Sequence, residues 1–205
     1  MQRYEIATLT TTLGAAPKAA PAIEAFCRES GATGRLLGCW ASDIGLLNQI
    51  YILRGYDSDA DLLAERERTL LSANPFGSAE WLREMVLDSY IPFPFMPPVE
   101  PGDYGAVYEI RTYVLKTGGL GPTIEAWKAA VPPRSTFSPL TIAMYAIDGV
   151  PRITHIWPYK SLNDRGIIRA DSVAKGAWPP KGGPDWLTPD MRSVIGLPLA
   201  VSPLR

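Results

Sequence analysis

The chain carries YEIAT at residues 4–8 and, with one substitution, YEIRT at residues 108–112. Further matches follow in the same order: IEAF at 23–26 with IEAW at 124–127, Tyr56-Asp57-Ser58 with Tyr159-Lys160-Ser161, and Glu80-Trp81-Leu82 with Asp185-Trp186-Leu187. The offset between partners stays between 101 and 105 residues. Collinear matches at a nearly constant offset indicate two copies of one domain. We place the first copy at residues 1–98, a linker at 99–105 and the second copy at 106–205.

Each copy shows the same order of predicted elements. An alternating strand is followed by a helix with proline in its first turn, a hairpin, a second helix and a last strand. Ser58 and Ser161 each precede an aspartate by three residues and are expected to cap the second helices. The last strands are expected near 90–95 and 194–201. The order β-α-β-β-α-β is ferredoxin-like. The sequence therefore predicts an α+β fold of two tandem ferredoxin-like repeats whose bare sheet faces cover each other.

Composition excludes several classes of partner. Twenty Lys and Arg stand against 21 Asp and Glu, a net charge of -1, so we expect no nucleic acid and no membrane partner. The first residues lack a secretion signal or transit peptide, which predicts a cytoplasmic protein. Cys27 and Cys39 are too few for a disulfide framework, and the single histidine, His155, excludes a histidine-rich metal site. We expect no metal and no cofactor.

The strand at residues 108–113, followed by Lys116 and Gly118, resembles the opening signature of the NIPSNAP family. The segment IWPY at 156–159, followed by a helix that carries arginines, is similar to a later part of the same signature. The first copy departs from it, with Ala7 and Leu9 where the motif has arginine and tyrosine. The resemblance implies a dimeric α+β barrel with a central space between its sheets. Proteins of that barrel include haem-degrading and cofactor-free monooxygenases, isomerases and dismutases, whereas NIPSNAP members mostly lack an assigned reaction.

Strand alternation places Glu109, Arg111 and Tyr113 on one face, and these are the candidate catalytic residues. We expect the opposite, aliphatic face to meet the helices, so that the three side chains line the space between the sheets. Glu5 would lie opposite Glu109 across the pseudo-two-fold axis. A partly dry cavity would raise the pKa of Glu109 and make it a general base, with Arg111 stabilising a developing anion. The alternative is a structural ion pair, which is the commoner arrangement.

Three residues complete the candidate set as ligand-binding groups: Glu5, His155 and Trp157. His155 has no carboxylate or cysteine at metal-ligand spacing, so a satisfied surface or core histidine is favoured over an acid, a base or a haem ligand. Trp157 stands where the first copy has Arg54, which makes it a candidate cavity residue.

Two functions stay open. The first is a protein that binds a small, largely apolar molecule between its sheets, and that either only binds it or transforms it without a cofactor, as a monooxygenase or isomerase would. The second is a non-catalytic interaction or trafficking protein. A cavity lined by Glu109 and Arg111 would favour the first, and a filled, dry interface would favour the second. Exposed outer strand edges would also allow a homo-oligomer.

Overall fold

The computed structural model describes residues 1–205 and contains eight strands and four α-helices. The first repeat comprises β1 (Arg3–Thr11), α1 (Ala16–Cys27), β2 (Arg35–Ile44), β3 (Gln49–Tyr56), α2 (Asp59–Leu71) and β4 (Leu82–Pro92). The second comprises β5 (Val107–Leu115), α3 (Leu120–Ser135), β6 (Ile142–Ala146), β7 (Arg152–Tyr159), α4 (Leu162–Ala174) and β8 (Leu187–Pro198). The predicted β-α-β-β-α-β order is confirmed in both repeats. None of the helices is long and apolar enough to cross a lipid bilayer.

All eight strands form one closed barrel in the order β1-β3-β2-β8-β5-β7-β6-β4. The two ferredoxin-like sheets join edge to edge, because β2 pairs with β8 and β4 pairs with β6. Every strand is therefore hydrogen-bonded on both sides. The expected exposed strand edges do not exist, so a homo-oligomer, which stays untested, loses the reason given for it.

The helix starts follow the sequence, but the last strands do not. Ser58 accepts a hydrogen bond from the backbone N–H of Asp61, and Ser161 accepts one from Asp164, as predicted. The strands β4 and β8 begin at Leu82 and Leu187, well before the predicted 90 and 194. Their first halves are largely exposed, so the apolar run in the sequence marks only the buried end of each strand.

Side chains from both repeats fill the barrel interior. Tyr4 and Ile6 of β1 meet Tyr108 and Ile110 of β5 in one cluster of buried residues. The ring of Trp40 lies 5.1 Å from that of Tyr108, between centroids. A Cβ atom on Gly38 would lie 2.0 Å from the Trp40 ring, so only glycine fits there. Eight strands enclose just enough space for side chains. The part of the barrel expected to hold a ligand between the sheets is therefore occupied by core residues.

The outer face of each half meets its own two helices. Ile23 and Phe26 of α1 pack on the first half, and Trp127 of α3 packs on the second, where only 3% of its surface is exposed. All three side chains are buried, while Ile124 of α3 is half-buried. The second half carries more polar groups beneath its helices than the first, and the candidate site lies there.

Candidate functional site

Glu109, Arg111 and Tyr113 share one face of β5, as predicted, but this face points towards α3 and α4. Glu109 bonds to Arg165 and Arg169 of α4. The prediction that the three side chains line the space between the sheets is therefore wrong. The reason is that the opposite face of β5 supplies the bulky side chains that fill the barrel. Glu5 is turned outward in the same way, towards α2, and does not lie across a central space from Glu109.

Glu109 is fully buried at the centre of a group of arginines. Its Oε1 accepts hydrogen bonds from Arg111 at 2.6 Å, from Arg165 at 2.5 Å and from Ser193 at 3.0 Å, and its Oε2 lies 3.4 Å from Arg169. Burial would raise the pKa of this carboxyl, but the Arg165 hydrogen bond and the charges of Arg111 and Arg169 lower its pKa to about 2. The expected raised pKa is wrong. The geometry favours the structural ion-pair alternative for Glu109, and its predicted catalytic role stays untested.

Tyr113 accepts a hydrogen bond from Nε of Arg111, and the same guanidinium lies 5.2 Å from the centre of its ring. The tyrosine is half-buried, and burial raises the pKa of its hydroxyl. The ring also packs edge-on against His155, 5.0 Å away. Tyr113 therefore links the ion-pair cluster around Glu109 to the aromatic groups of β7.

His155 lies on β7, directly opposite Arg111 in the ladder, and is 2% exposed. Its Nδ1 accepts a hydrogen bond from the indole N–H of Trp157 at 2.8 Å. Because an indole nitrogen only donates, the neutral imidazole carries its proton on Nε2. That Nε2 is buried and has no hydrogen-bond partner within the protein. Burial and the charge of Arg111 lower the pKa of His155 to about 3, so the ring is a neutral donor at pH 7.

Arg134, in the last turn of α3, is a functional candidate that the sequence analysis missed. Only 2% of the residue is exposed, and its guanidinium lies 4.3 Å from the centre of the Trp157 ring. It donates a hydrogen bond to the Tyr159 hydroxyl at 3.3 Å, but it has no carboxylate partner, and its Nη1 has no partner at all. Burial lowers its pKa. Two prolines, Pro132 and Pro133, precede it, yet α3 continues through them and carries Arg134 inward.

A cavity of about 20 Å³ lies between the sheet and the two helices of the second repeat. Tyr113, His155 and Trp157 line it, as do Arg134 and Arg169. A cavity of that size holds about one water molecule. The structure therefore brings three of the six predicted site residues to one cavity, while Glu109 and Arg111 lie beside it and Glu5 belongs to the other repeat.

A larger, open groove of about 570 Å³ lies between α1 and α2 of the first repeat. Its charged residues, Glu29 and Arg68, pair with each other at 2.7 Å, so it offers no unsatisfied group to a ligand. No three His, Cys, Asp or Glu side chains cluster as metal ligands. Cys27 and Cys39 are buried, and burial raises the pKa of Cys27 to about 11.

Comparison with known proteins assigns both repeats to one family. The model of the NIPSNAP family matches residues 4–97 and 108–203. The chain belongs to the NIPSNAP family. A NipSnap homolog from Dictyostelium discoideum is 28% identical over 144 residues, a match that covers 69% of this chain and 65% of that protein. The chain thus matches less than two thirds of the length of this curated relative.

Solved structures similar to this NIPSNAP chain show the same fold. The crystal structure of a "putative monooxygenase" from Lactobacillus acidophilus NCFM has a TM-score of 0.66 and 13% identity, with 98% of each chain covered. An anthrone oxidase-like protein has a TM-score of 0.64 and 12% identity, with 97% of this chain and 91% of that chain covered. At these identities the likeness concerns the α+β barrel alone.

The two NIPSNAP repeats differ in how their buried charges are balanced. In the first, Arg54 takes the place of Trp157 and bonds to Glu5 and Glu65, each at 2.5 Å. Glu65 also pairs with Arg68 at 2.6 Å, and Arg68 pairs with Glu29 at 2.7 Å, so both arginines have carboxylate partners. In the second repeat, Glu109 is the one acid paired with arginines from β5 and α4, and Arg134 adds a further charge without an acid. The first repeat therefore has no surplus positive charge, whereas the second has surplus positive charge beside its cavity.

Proposed function

We propose that this NIPSNAP protein binds a small organic molecule through an anionic oxygen group in the cavity of the second repeat. The observation that carries the proposal is Arg134, whose charged group is buried without a carboxylate partner. An unpaired buried charge costs several kcal/mol of folding stability. A bound anion would supply the missing partner and offset that cost.

The other groups around the cavity fit an acceptor of hydrogen bonds. His155 also lines the cavity and has a buried N–H without a partner, so two donors there lack an acceptor. Arg169 adds positive charge, because its single, long contact to Glu109 leaves its other nitrogens unpaired. Charge-assisted hydrogen bonds from an arginine to a carboxylate are about twice as strong as neutral ones. These features support a monoanionic oxygen group as the part of the ligand that is recognised.

The geometry supports binding better than catalysis by a protein base. Glu109 is saturated by arginines and Ser193, and Nδ1 of His155 is occupied by Trp157. Neither group is free to accept a proton from a ligand. A cofactor-free monooxygenase or isomerase reaction would therefore need a ligand that enters already ionised, as a phenolate or enolate, and the arginines would stabilise that charge. Two structural neighbours are named as a monooxygenase and an oxidase-like protein, and for this reason we propose oxidation as the reaction if the protein is an enzyme. We also propose a cytoplasmic location, because both cysteines are free thiols.

The second function, a non-catalytic interaction protein, has one observation in its favour. The filled barrel interior is what we expected of such a protein. An interaction protein of this kind would not need the cavity on the helix side, which is lined by buried donors without acceptors. This contrast is the reason for preferring a small-molecule ligand.

Arg134→Gln tests the proposal by removing the unpaired charge. Thermal unfolding is followed at pH 7 with increasing acetate and benzoate, and the purified protein is examined by native mass spectrometry for a small acid. We expect the wild-type midpoint to rise with anion concentration. At an anion concentration of one hundred times Kd, the free energy of unfolding should increase by about 2.7 kcal/mol. The Arg134→Gln protein should show no rise. Arg28→Gln, at an exposed arginine paired with Glu24, is the matched control and should behave as the wild type. Equal responses of Arg134→Gln and wild type, or no response of the wild type, would refute the proposal.

A further inference from the structure

The proposed ligand has an anionic group, and the aromatic walls of the cavity indicate what chemical group lies next to it. Resting on the proposed function, we infer that the ligand carries an aromatic ring next to its anionic group, and that this ring takes the place of the Trp178 indole. The ligand class is thus an aromatic carboxylate or a similar aromatic monoanion. Three observations carry this inference: the slot that Trp178 fills, the loop that holds it, and the size of the cavity.

Trp178 fills a slot between two other indoles. Its ring centre lies 4.9 Å from that of Trp127, at an interplanar angle of 89°, and 5.8 Å from that of Trp157, at 79°. Both are edge-to-face arrangements, which any aromatic ring finds favourable. Arg134 stacks on Trp157 at 4.3 Å, so the slot lies beside the unpaired guanidinium. An aromatic ring with an anionic substituent would fill the slot with its ring and pair with the Arg134 guanidinium through its charge.

Trp178 is carried by a loop, whereas the rest of the aromatic wall is carried by helices and strands. Trp127 and Trp157 are 3% exposed and lie within α3 and β7, but Trp178 is half-exposed and follows the end of α4. Its loop begins at Gly176, in a backbone conformation with φ of 67° that favours glycine. Loops move more readily than the elements they connect. Trp178 is therefore the wall residue that a ligand could displace at least cost.

In the first repeat, Phe76 fills the place that corresponds to the Trp178 slot. After α2 the chain forms a short helical turn in which Phe76 is fully buried, packed 5.2 Å from Phe26 and 4.7 Å from the Arg54 guanidinium. Arg54 has its own carboxylate partners, so its charge is balanced within the repeat. The second repeat has the half-exposed Trp178 and the unpaired Arg134 instead.

The size of the cavity requires such a displacement. At about 20 Å³ it has room for a carboxylate oxygen in the place of one water molecule but not for an aromatic ring, although its donors require an acceptor. Removal of the Trp178 indole would enlarge it by the volume of one aromatic ring system. An aromatic acid would then reach Arg134 with its carboxylate while its ring occupies the slot.

The test compares Trp178→Ala with the wild type by titration calorimetry at pH 7, with benzoate, acetate and benzyl alcohol as probes. We expect Trp178→Ala to bind benzoate about 10-fold more tightly, because the ring no longer has to displace the indole. Acetate affinity should be unchanged, and benzyl alcohol should bind at least about 10-fold more weakly than benzoate, since it lacks the charge. Trp186→Ala, an indole that does not line the cavity, is the control and should bind as the wild type.

The outcomes separate this inference from the proposed function. If both proteins bind acetate but Trp178→Ala gains nothing for benzoate, the ring assignment is wrong and the anion site stands. If benzyl alcohol binds as tightly as benzoate, the aromatic slot exists without charge recognition, and the inferred ligand class is wrong. If neither protein binds any anion, both proposals fail. Trp178→Leu, which keeps an apolar cover but removes a ring, replaces Trp178→Ala if the latter does not fold.

Discussion

The pKa of His155 gives the sharpest test of the site's electrostatics, because this is the only histidine of the chain. Burial in the folded protein, together with the charge of Arg111, lowers the pKa from its ordinary value of 6.5 to about 3. Between these values the unfolded chain binds a proton that the folded protein does not, so stability falls as the pH falls below 6.5. From pH 7 to pH 5 the loss from His155 alone is about 2 kcal/mol. Glu109 contributes below this window, because its lowered pKa affects stability between about 4.5 and about 2.

Urea unfolding at pH 7, 6 and 5 measures this loss, and His155→Gln is the comparison, since it removes the titrating ring. The wild type should lose about 2 kcal/mol more than the variant over this range. Nitrogen-15 spectra of the single imidazole should show a neutral ring protonated on Nε2 throughout, because Nδ1 accepts from Trp157. A ring that titrates near 6.5, a proton on Nδ1, or equal losses in the two proteins would refute the buried, neutral donor on which the proposed site depends.

Three further predictions concern stability, each measured by urea unfolding at pH 7. Glu109→Gln should cost about 3 kcal/mol or more, because it leaves arginines without their buried partner; a loss below about 1 kcal/mol would show that the ion-pair cluster is dispensable. Arg54→Met should cost about 3 to 5 kcal/mol by breaking a paired network, whereas Arg134→Met, which removes an unpaired charge, should cost less than about 1 kcal/mol or stabilise the protein; equal costs would mean that Arg134 is structurally paired. Ser58→Ala and Ser161→Ala should each cost about 1 kcal/mol through the lost helix cap, and an unchanged midpoint would contradict that role.

The repeat made most of the fold predictable. The YEIAT and YEIRT strands and the serine caps each specify a local structure, and their recurrence at one offset fixes the relation between the halves. The closure of the barrel was not predictable, because backbone pairing between β2 and β8 or between β4 and β6 leaves no mark in side-chain alternation. A sheet edge looks the same in sequence whether it is free or paired.

The candidate site was predictable in its members but not in its location. Alternation correctly grouped Glu109, Arg111 and Tyr113, yet alternation alone does not say which face of a strand is inside a barrel. Arg165 and Arg169 of α4 were the available signal, since residues four apart lie on one helical face and can meet a carboxylate beneath it. Arg134 and Trp178 had no such signal, because one follows two prolines and the other lies in a loop.

The two repeats share the strand motif but differ in how their buried charges are paired, and this difference in pairing locates the candidate site in the second repeat. Both repeats keep the glutamate of the motif, Glu5 and Glu109, and both bury it completely. In the first repeat the strand residue opposite is Arg54, so the charges cancel within the sheet and its helix. In the second repeat that residue is Trp157, which supplies no charge but positions His155 and stacks on Arg134. The second repeat keeps Arg111 on its strand and adds Arg134 of α3 and Arg169 of α4, which both line the cavity. Core packing alone does not account for an arginine without a carboxylate partner beside a cavity, whereas the proposed anion site would use it.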